Sequence, residues 1–299
     1  MDRCFTRSTV AAATLSGIAL ERHYAEVLNR TRPFRGHKVH HVHGWGGPWI
    51  ENAWIDIFCC DVRVHAFGRF VPIFIQWVDL FVIAGKGKAY PASLRLRETL
   101  DKLLRPDVLY VTVSQNADGI GLAPGQSGGW AAERWPNLLV FSAGGVGHVP
   151  IPLIKGELAW SNASLPPFGH EQALGFYGGT TTSHPLRARL VDALRTVRER
   201  DADRMPAMHH ERTARSRFVH VMLQSRYLWA PRGYGRTSYI LTEGVQTGGV
   251  PIVVWDDLPW LPYRELRDWT SRASRESGIA RHSPGSLLRA RPRRKLARP

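Results

Sequence analysis

Short apolar runs place the strongest constraint on the fold of this 299-residue chain, because each run leads directly into a polar or glycine-rich loop. We expect buried strands at residues 108–113, 137–141, 174–177 and 250–255, and a further strand within 218–229. Segments with helical spacing precede or separate these strands, most clearly at 49–60, 92–104 and 185–200. Alternating strands and helices predict a parallel-sheet α/β fold. Ligands of such folds bind at the carboxyl ends of the strands, so we expect the site in these loops.

Two further apolar segments are expected to lie in the core rather than in a membrane. Residues 69–84 are almost continuously apolar, but Pro72, Gln76 and Asp79 make the segment too polar for a membrane span. Residues 8–20 are too short to cross a bilayer. They form either the first buried helix or the remnant of a signal sequence, and we favour the helix.

The net charge of +15 is concentrated near the carboxyl end. Residues 264–299 contain eleven Lys and Arg residues and three acidic residues, which gives a net charge of +8. A basic surface of this kind can bind nucleic acid, an anionic lipid surface or phosphorylated substrates. A solvated, unstructured tail is the simpler interpretation.

Cysteine and histidine spacing gives little support for a metal site. The three cysteines, Cys4, Cys59 and Cys60, lack the C-x-x-C spacing of zinc sites. Four histidines lie within residues 37–43, but no cysteine or acidic residue accompanies them. We interpret this segment as a strand that enters the glycine-rich loop at 44–47, with a metal site as the alternative.

The segment from residue 230 to residue 257 contains a loop that is suited to binding a diphosphate. Arg232 and Arg236 follow a predicted strand, and a helix is expected to begin near Thr237 or Ser238, both favourable N-cap residues. Free amide groups and the positive end of the helix dipole then lie beside two guanidinium groups, which is an arrangement that binds phosphate.

Glu243 lies two turns along the same helix from Arg236. Its carboxylate can accept hydrogen bonds from vicinal hydroxyl groups such as those of a ribose. The alternative is that Arg232 and Arg236 only form ion pairs with Asp256 and Asp257. The residues by themselves leave both interpretations open.

The sequence APRGYGRTSYILTEGVQTGGVPIVVWDDLPWLPY, residues 230–263, resembles the nucleotide-sugar-binding signature of the exostosin family, glycosyltransferase family 47. Shorter segments resemble the same family in the same order: GPWIENAWID, RFVPIFIQW, VSQNADGI, LLVFSAGGVGHVPIPL and FYGGTTTSHPLR. The resemblance extends over residues 47–263, and residues 230–263 are its most specific part.

This resemblance implies a GT-B architecture, an α/β fold of two Rossmann-like halves with the active-site cleft between them. It assigns residues 37–168 to the acceptor side and 169–270 to the nucleotide-sugar-binding half. An N-terminal segment at 1–36 precedes these halves, and a basic tail at 271–299 follows them. The implied reaction transfers a sugar from a nucleotide-sugar, commonly UDP-linked, to a glycan or glycoprotein acceptor, with inversion at the anomeric carbon.

The resemblance also assigns roles to individual residues of this chain. Arg232 and Arg236 are expected to bind the diphosphate, and Glu243 is expected to contact the nucleotide ribose. Ser238 is a further candidate to donate a hydrogen bond to the phosphate. Arg187, within HPLR, is an additional candidate for the nucleotide-sugar site.

Inversion requires a base that accepts the proton of the acceptor hydroxyl as the nucleotide leaves. Asp118 and His148 are the candidates, because both lie in loops that follow strands of the first half. Arginines and a helix dipole can stabilise the leaving diphosphate, so no metal or other cofactor is expected. The adjacent pair Asp256 and Asp257 is expected to be structural or to face the substrate.

Two parts of the chain depart from the family pattern. After Tyr263 the sequence loses its apolar periodicity and becomes rich in arginine. Near the start no clear membrane anchor is present, although family members are usually anchored in the Golgi membrane. A non-catalytic relative, lectin-like or a scaffold, is therefore the main alternative. Binding of nucleic acid by the basic tail is a third and less favoured interpretation.

Overall fold

We describe the protein from a computed structural model. The described residues are 15–35, 48–59, 61–78, 91–120, 134–158, 173–200, 208–210 and 215–264. The four-histidine segment, the boundary expected at residues 168–169 and the basic tail lie outside the described residues.

The first part of the chain contributes three helices, four strands and two short 3₁₀ helices (Arg32–Phe34 and Val64–Phe67) within its described residues. In chain order the helices and strands are α1 (Gly17–Thr31), α2 (Ile50–Phe58), β1 (Phe70–Pro72), α3 (Pro91–Leu103), β2 (Leu109–Ser114), β3 (Leu138–Ser142) and β4 (Val149–Pro150). The four strands form one sheet in the order β1-β2-β3-β4, and every pairing in it is parallel.

The second part of the chain forms another parallel sheet. Its elements are β5 (Ala173–Tyr177), α4 (Pro185–Arg200), β6 (Met208–His210), α5 (Arg215–Leu223), β7 (Ser225–Pro231), α6 (Tyr239–Gln246) and β8 (Val250–Val254). The strand order is β6-β5-β7-β8. Because all strands of each sheet are parallel, their carboxyl ends lie at one edge, and the loops predicted to bind ligand begin there.

The prediction of an α/β fold with parallel sheets is confirmed. Helix α4 has the predicted bounds, and α2 and α3 agree with prediction to within two residues at each end. Within residues 218–229, the first apolar residues belong to α5 and the strand begins only at Ser225. Strands β1, β4 and β6 were not predicted as strands. They are only two or three residues long, so pairing with a neighbouring strand defines them rather than local pattern.

The segment that begins at residue 69 lies in the core over its described part. Strand β1 takes only three of its residues, but residues 71–78 are all buried. Its polar member Gln76 is accommodated because its Nε2 donates a hydrogen bond to Asn52 Oδ1 at 2.7 Å. Of the described helices, none is long and apolar enough to cross a membrane. Of the helix predicted at residues 8–20, only the part from residue 15 onward is among the described residues. In that part, α1 begins at Gly17.

Separate apolar clusters cover the two sheets. In the first, Tyr24 and Val27 of α1 and Leu96 and Leu100 of α3 pack with the sheet residue Tyr110. In the second, side chains of α4 and α5 pack on β5 and β7; its members include Leu190, Leu194, Met222, Phe176 and Leu228. Burial of these apolar side chains stabilises each sheet.

Candidate functional site

Loops from the carboxyl ends of the two sheets contact each other. The loop after β3 carries Gly144 and Gly145, and the loop after β7 carries Gly235 and Arg236. The Arg236 amide donates to the Gly144 carbonyl oxygen at 3.1 Å, and Arg236 Nη1 donates to the Gly145 oxygen at 2.7 Å. Arg236, which was predicted to bind a diphosphate, therefore lies directly against a loop of the first sheet.

Glycine is required where these two loops meet. A side chain on Gly235 would collide with the Gly144 carbonyl oxygen, and a Cβ on Gly145 would lie 2.5 Å from the Cβ of Arg236. Gly145 also has a φ of +112°, which residues with a side chain rarely adopt. The glycines around Arg236 therefore permit the contact between the loops.

Arg232 and Arg236 form ion pairs with the two aspartates that follow β8. Arg232 Nη1 lies 2.8 Å from Asp257 Oδ1 and 3.3 Å from Asp256 Oδ1. Arg236 Nε lies 2.7 Å from Asp257 Oδ2. The alternative interpretation of the sequence, in which the arginines pair with these aspartates, thus describes the structure. A diphosphate would bind beside these ion pairs or displace them.

The charge of Asp257 follows from its neighbours. Burial acts to raise the pKa of Asp257, but a hydrogen bond from Arg236, one from the Leu258 amide and the charge of Arg232 outweigh it and lower the pKa to about 2. The Asp257 carboxylate is therefore ionised at neutral pH and offsets part of the arginine charge.

Arg187 has no carboxylate partner among the described residues. Its Nε donates to the Arg232 carbonyl oxygen at 2.9 Å, and its Nη1 donates to the Thr180 oxygen at 3.1 Å. Burial lowers the pKa of Arg187, an effect that the neighbouring Tyr177 partly offsets. Arg187 also lies in the first turn of α4, where the helix dipole disfavours a cation. A bound anion would relieve both costs.

Together these side chains form a group that we call the arginine cluster. It comprises Arg187, Arg189, Arg232, Arg236, Asp256 and Asp257. Four guanidinium groups face two carboxylates, which leaves the cluster with a net charge of +2. The cluster is therefore still attractive to an anion, although Arg189, Arg232 and Arg236 each pair with an aspartate.

Three buried polar atoms in or near the arginine cluster have no hydrogen-bond partner within the part of the chain that the structure describes: Ser183 Oγ, Arg232 Nε and Thr237 Oγ1. Ser183 precedes His184, whose Nδ1 lies 3.9 Å from Asp256 Oδ2, and Thr237 follows Arg236 in the same loop. Buried polar atoms without partners are rare in native proteins, and each calls for an explanation such as a bound ion or water. All three atoms can donate a hydrogen bond to a phosphate oxygen.

Ser238 caps α6, as predicted. Its Oγ accepts a hydrogen bond from the Ile240 amide at 3.4 Å. Among the described residues, no hydrogen bond uses the hydroxyl hydrogen of Ser238, so this hydrogen is available for a phosphate oxygen. Helix α4 begins with the same pattern, because His184 Nδ1 accepts from the Leu186 amide at 3.2 Å and the His184 carbonyl oxygen accepts from the Arg187 amide.

Glu243 lies on α6 as predicted, but its ion-pair partner lies outside the arginine cluster. The residue is 6% exposed, and its Oε1 lies 2.9 Å from Nζ of Lys155. Lys155 belongs to residues 151–158, which follow β4 of the first sheet. The predicted ribose contact therefore receives its counter-charge from the first half of the chain.

The two candidate bases differ in their surroundings. Asp118 Oδ2 accepts a hydrogen bond from the Tyr234 hydroxyl at 3.0 Å, so the carboxylate lies against the loop that carries Arg232 and Arg236. His148 Nδ1 accepts from the Val140 amide at 3.0 Å, and burial lowers the pKa of His148. A neutral ring with Nδ1 as acceptor carries its hydrogen on Nε2, so it offers no free lone pair in this arrangement. The geometry favours Asp118.

Three residues of the site were not identified from the sequence: Lys155, Tyr234 and Tyr239. The Tyr239 hydroxyl accepts a hydrogen bond from Gln115 Nε2 at 3.0 Å. Tyr234 and Tyr239 lie within the segment of family resemblance at 230–263, and Lys155 follows the segment that ends at Leu153. The partners of all three are 88 or more residues away in the chain. Contacts of that separation are not visible in a single sequence.

Comparison with protein-family models found no match to this chain, and comparison with curated proteins found no significant relative. The part of the chain that the structure describes holds no group of three or more His, Cys, Asp or Glu side chains arranged for a metal ion. The expectation that no metal is needed stays a prediction.

Proposed function

We propose that this protein is a glycosyltransferase that transfers a sugar from a nucleotide-sugar, most simply a UDP-sugar, to a glycan or glycoprotein acceptor. The observation that carries the proposal is the arginine cluster. It keeps a net positive charge and includes a half-buried arginine, Arg187, that no described carboxylate neutralises. It also adjoins buried donor atoms that have no hydrogen-bond partner among the described residues. A diphosphate supplies the negative charge and the acceptor oxygens that such a group of donors requires.

The same residues support inverting chemistry. As the glycosidic bond to the nucleotide breaks, negative charge develops on the diphosphate, and Arg187, Arg232 and Arg236 stabilise it electrostatically. Asp118 is the proposed base that takes the proton of the acceptor hydroxyl. Because arginines carry the stabilisation in this scheme, transfer proceeds without a metal ion.

The architecture and location are proposed on the resemblance to the exostosin family. Two parallel sheets whose edge loops touch are compatible with a GT-B arrangement, in which the donor binds the second half and the acceptor binds the first. Family members act in the Golgi, so we propose the Golgi membrane or lumen for this protein. In this scheme nucleic acid is not a partner.

Calorimetric titration of the full chain with UDP and a panel of UDP-sugars tests the donor site. We expect binding that Arg232→Met weakens by about 10-fold or more, because a charge-assisted hydrogen bond contributes about 1.5–3 kcal/mol. The matched control is Arg195→Met, which removes an exposed arginine of α4 that pairs with Asp192 outside the cluster. Absence of binding to the wild-type protein at millimolar UDP would refute the proposed donor site.

A transfer assay separates the two remaining alternatives. Release of UDP that depends on an added glycan acceptor, with inverted configuration in the product, supports the transferase. Nucleotide binding without transfer to any acceptor of a broad panel supports the non-catalytic relative instead. One structural feature favours that second candidate, since the Asp118 carboxylate is already engaged by the Tyr234 hydroxyl.

A further inference from the structure

We propose that Lys155 is a positioning residue that holds the Glu243 carboxylate ready to accept hydrogen bonds from the two ribose hydroxyls of a nucleoside diphosphate. This inference rests on the proposed function, because it concerns the nucleoside end of the same donor site. It adds a residue of the first half of the chain to the recognition of the donor.

The geometry of Lys155 points to a fixed ion pair. Its Nζ lies 2.9 Å from Glu243 Oε1, and the two side chains are only 15% and 8% exposed. The same nitrogen lies 5.0 Å from the centroid of the Tyr239 ring, one helical turn before Glu243 on α6. The cation is therefore held on two sides by groups of α6.

The backbone around Lys155 is also attached to α6. The Leu153 carbonyl oxygen accepts a hydrogen bond from Thr242 Oγ1 at 2.9 Å, and the Leu158 amide donates to Gln246 Oε1 at 2.9 Å. These bonds lie on either side of Lys155 in the chain and on either side of Glu243 on the helix. They fix the lysine opposite the glutamate without help from a ligand.

Electrostatics explains why such a position matters. A carboxylate with little access to water is costly unless a counter-charge compensates it, and without one it becomes protonated or turns towards solvent. Lys155 engages Oε1, and no hydrogen bond to Oε2 is present among the described residues. The pair therefore holds the Glu243 carboxylate in one orientation and leaves one oxygen to accept hydrogen bonds from hydroxyl groups.

A stabilising role alone accounts less well for this pair. Buried ion pairs are often no more stabilising than apolar side chains of similar volume, so the fold gains little from burying these two charges. Apolar residues could not accept hydrogen bonds from a polar ligand, whereas the Glu243 carboxylate can.

The test compares UDP with 2′,3′-dideoxy-UDP, which keeps the diphosphate but lacks both hydroxyls. We expect the wild-type protein to prefer UDP by about 10-fold or more, the value of one charge-assisted hydrogen bond. Lys155→Met should bind the dideoxy compound as the wild type does but lose most of its preference for UDP. Lys155→Arg should restore the preference, and Lys155→Met combined with Glu243→Gln should show no further loss.

Several results overturn the inference. It fails if Lys155→Met keeps the full preference for UDP, or if it weakens both nucleotides equally. If the wild type binds both nucleotides with equal affinity, the diphosphate site stands but the inference falls. If the wild type binds neither, the proposed function itself has failed. If Lys155→Met does not fold, Lys155→Gln replaces it in the same test. If neither variant folds, the ion pair has a structural role and the proposal is refuted.

Discussion

Substitution of Arg187 by Met should change ligand affinity and stability in unequal ways. The substitution keeps most of the apolar length of the side chain but removes a half-buried cation without a described carboxylate partner. It also removes two hydrogen bonds to the carbonyl oxygens of Arg232 and Thr180, and the interaction with Tyr177. We therefore expect a large loss of UDP affinity with a modest loss of stability in the absence of ligand.

The magnitudes follow from these contacts. The two lost bonds to carbonyl oxygens together cost about 1–3 kcal/mol of folding free energy, at about 0.5–1.5 kcal/mol each. Release of a half-buried cation from the positive end of α4 returns about 0.3–2 kcal/mol for the dipole alone. The free energy of unfolding should therefore fall by no more than about 3 kcal/mol. Loss of one or two charge-assisted bonds to phosphate should weaken UDP binding by about 10- to 100-fold.

Urea unfolding and calorimetry measure the two quantities on the same preparations. Arg195→Met serves as the control, because it removes an exposed arginine of the same helix and should change neither quantity appreciably. The reasoning is refuted if Arg187→Met binds UDP within 3-fold of the wild type. It is also refuted if stability without ligand falls by more than about 3 kcal/mol, because Arg187 would then be a structural residue.

Three further predictions concern the same loops. The pKa of Asp257 is lowered to about 2 in the folded protein, so its contribution to stability is present above the unfolded-state pKa of about 4 and is lost as the pH falls towards 2. In a series of thermal unfolding measurements at different pH values, Asp257→Asn should flatten the change in stability between about pH 4 and pH 2, as these two pKa values require. Gly235→Ala should destabilise the protein by about 1–3 kcal/mol in urea unfolding. Gly156→Ala is the control and should be close to neutral, because no atom would lie nearer than 3.9 Å to the added Cβ. Equal effects of the two substitutions would contradict the close contact of the two loops. In the transfer assay, Asp118→Asn should lower kcat by about 10²- to 10⁴-fold without changing UDP affinity, and a comparable loss in His148→Gln instead would reverse the choice of base.

Local pattern was sufficient for most of the secondary structure. Period and apolar content are properties of neighbouring residues, so the strands around Val111 and Val140 and the helix at 185–200 were predictable from the chain itself. The cap at Ser238 was predictable for the same reason, since its partner is the amide two residues later. The short strands β4 and β6 could not be predicted from local pattern, because only their pairing with a neighbouring strand defines them.

The sequence by itself determined the parallel α/β class, the positions of its main elements, and the loop in which Arg232 and Arg236 flank the start of a helix. Only the tertiary structure decided which charges those arginines meet, that Arg187 lacks a described carboxylate partner, and that Lys155 pairs with Glu243. The physical reason is range. Helix and strand patterns depend on residues within a few positions. The state of a charge depends on burial and on partners that the fold brings together from distant parts of the chain, such as Asp118 and Tyr234, which are 116 residues apart.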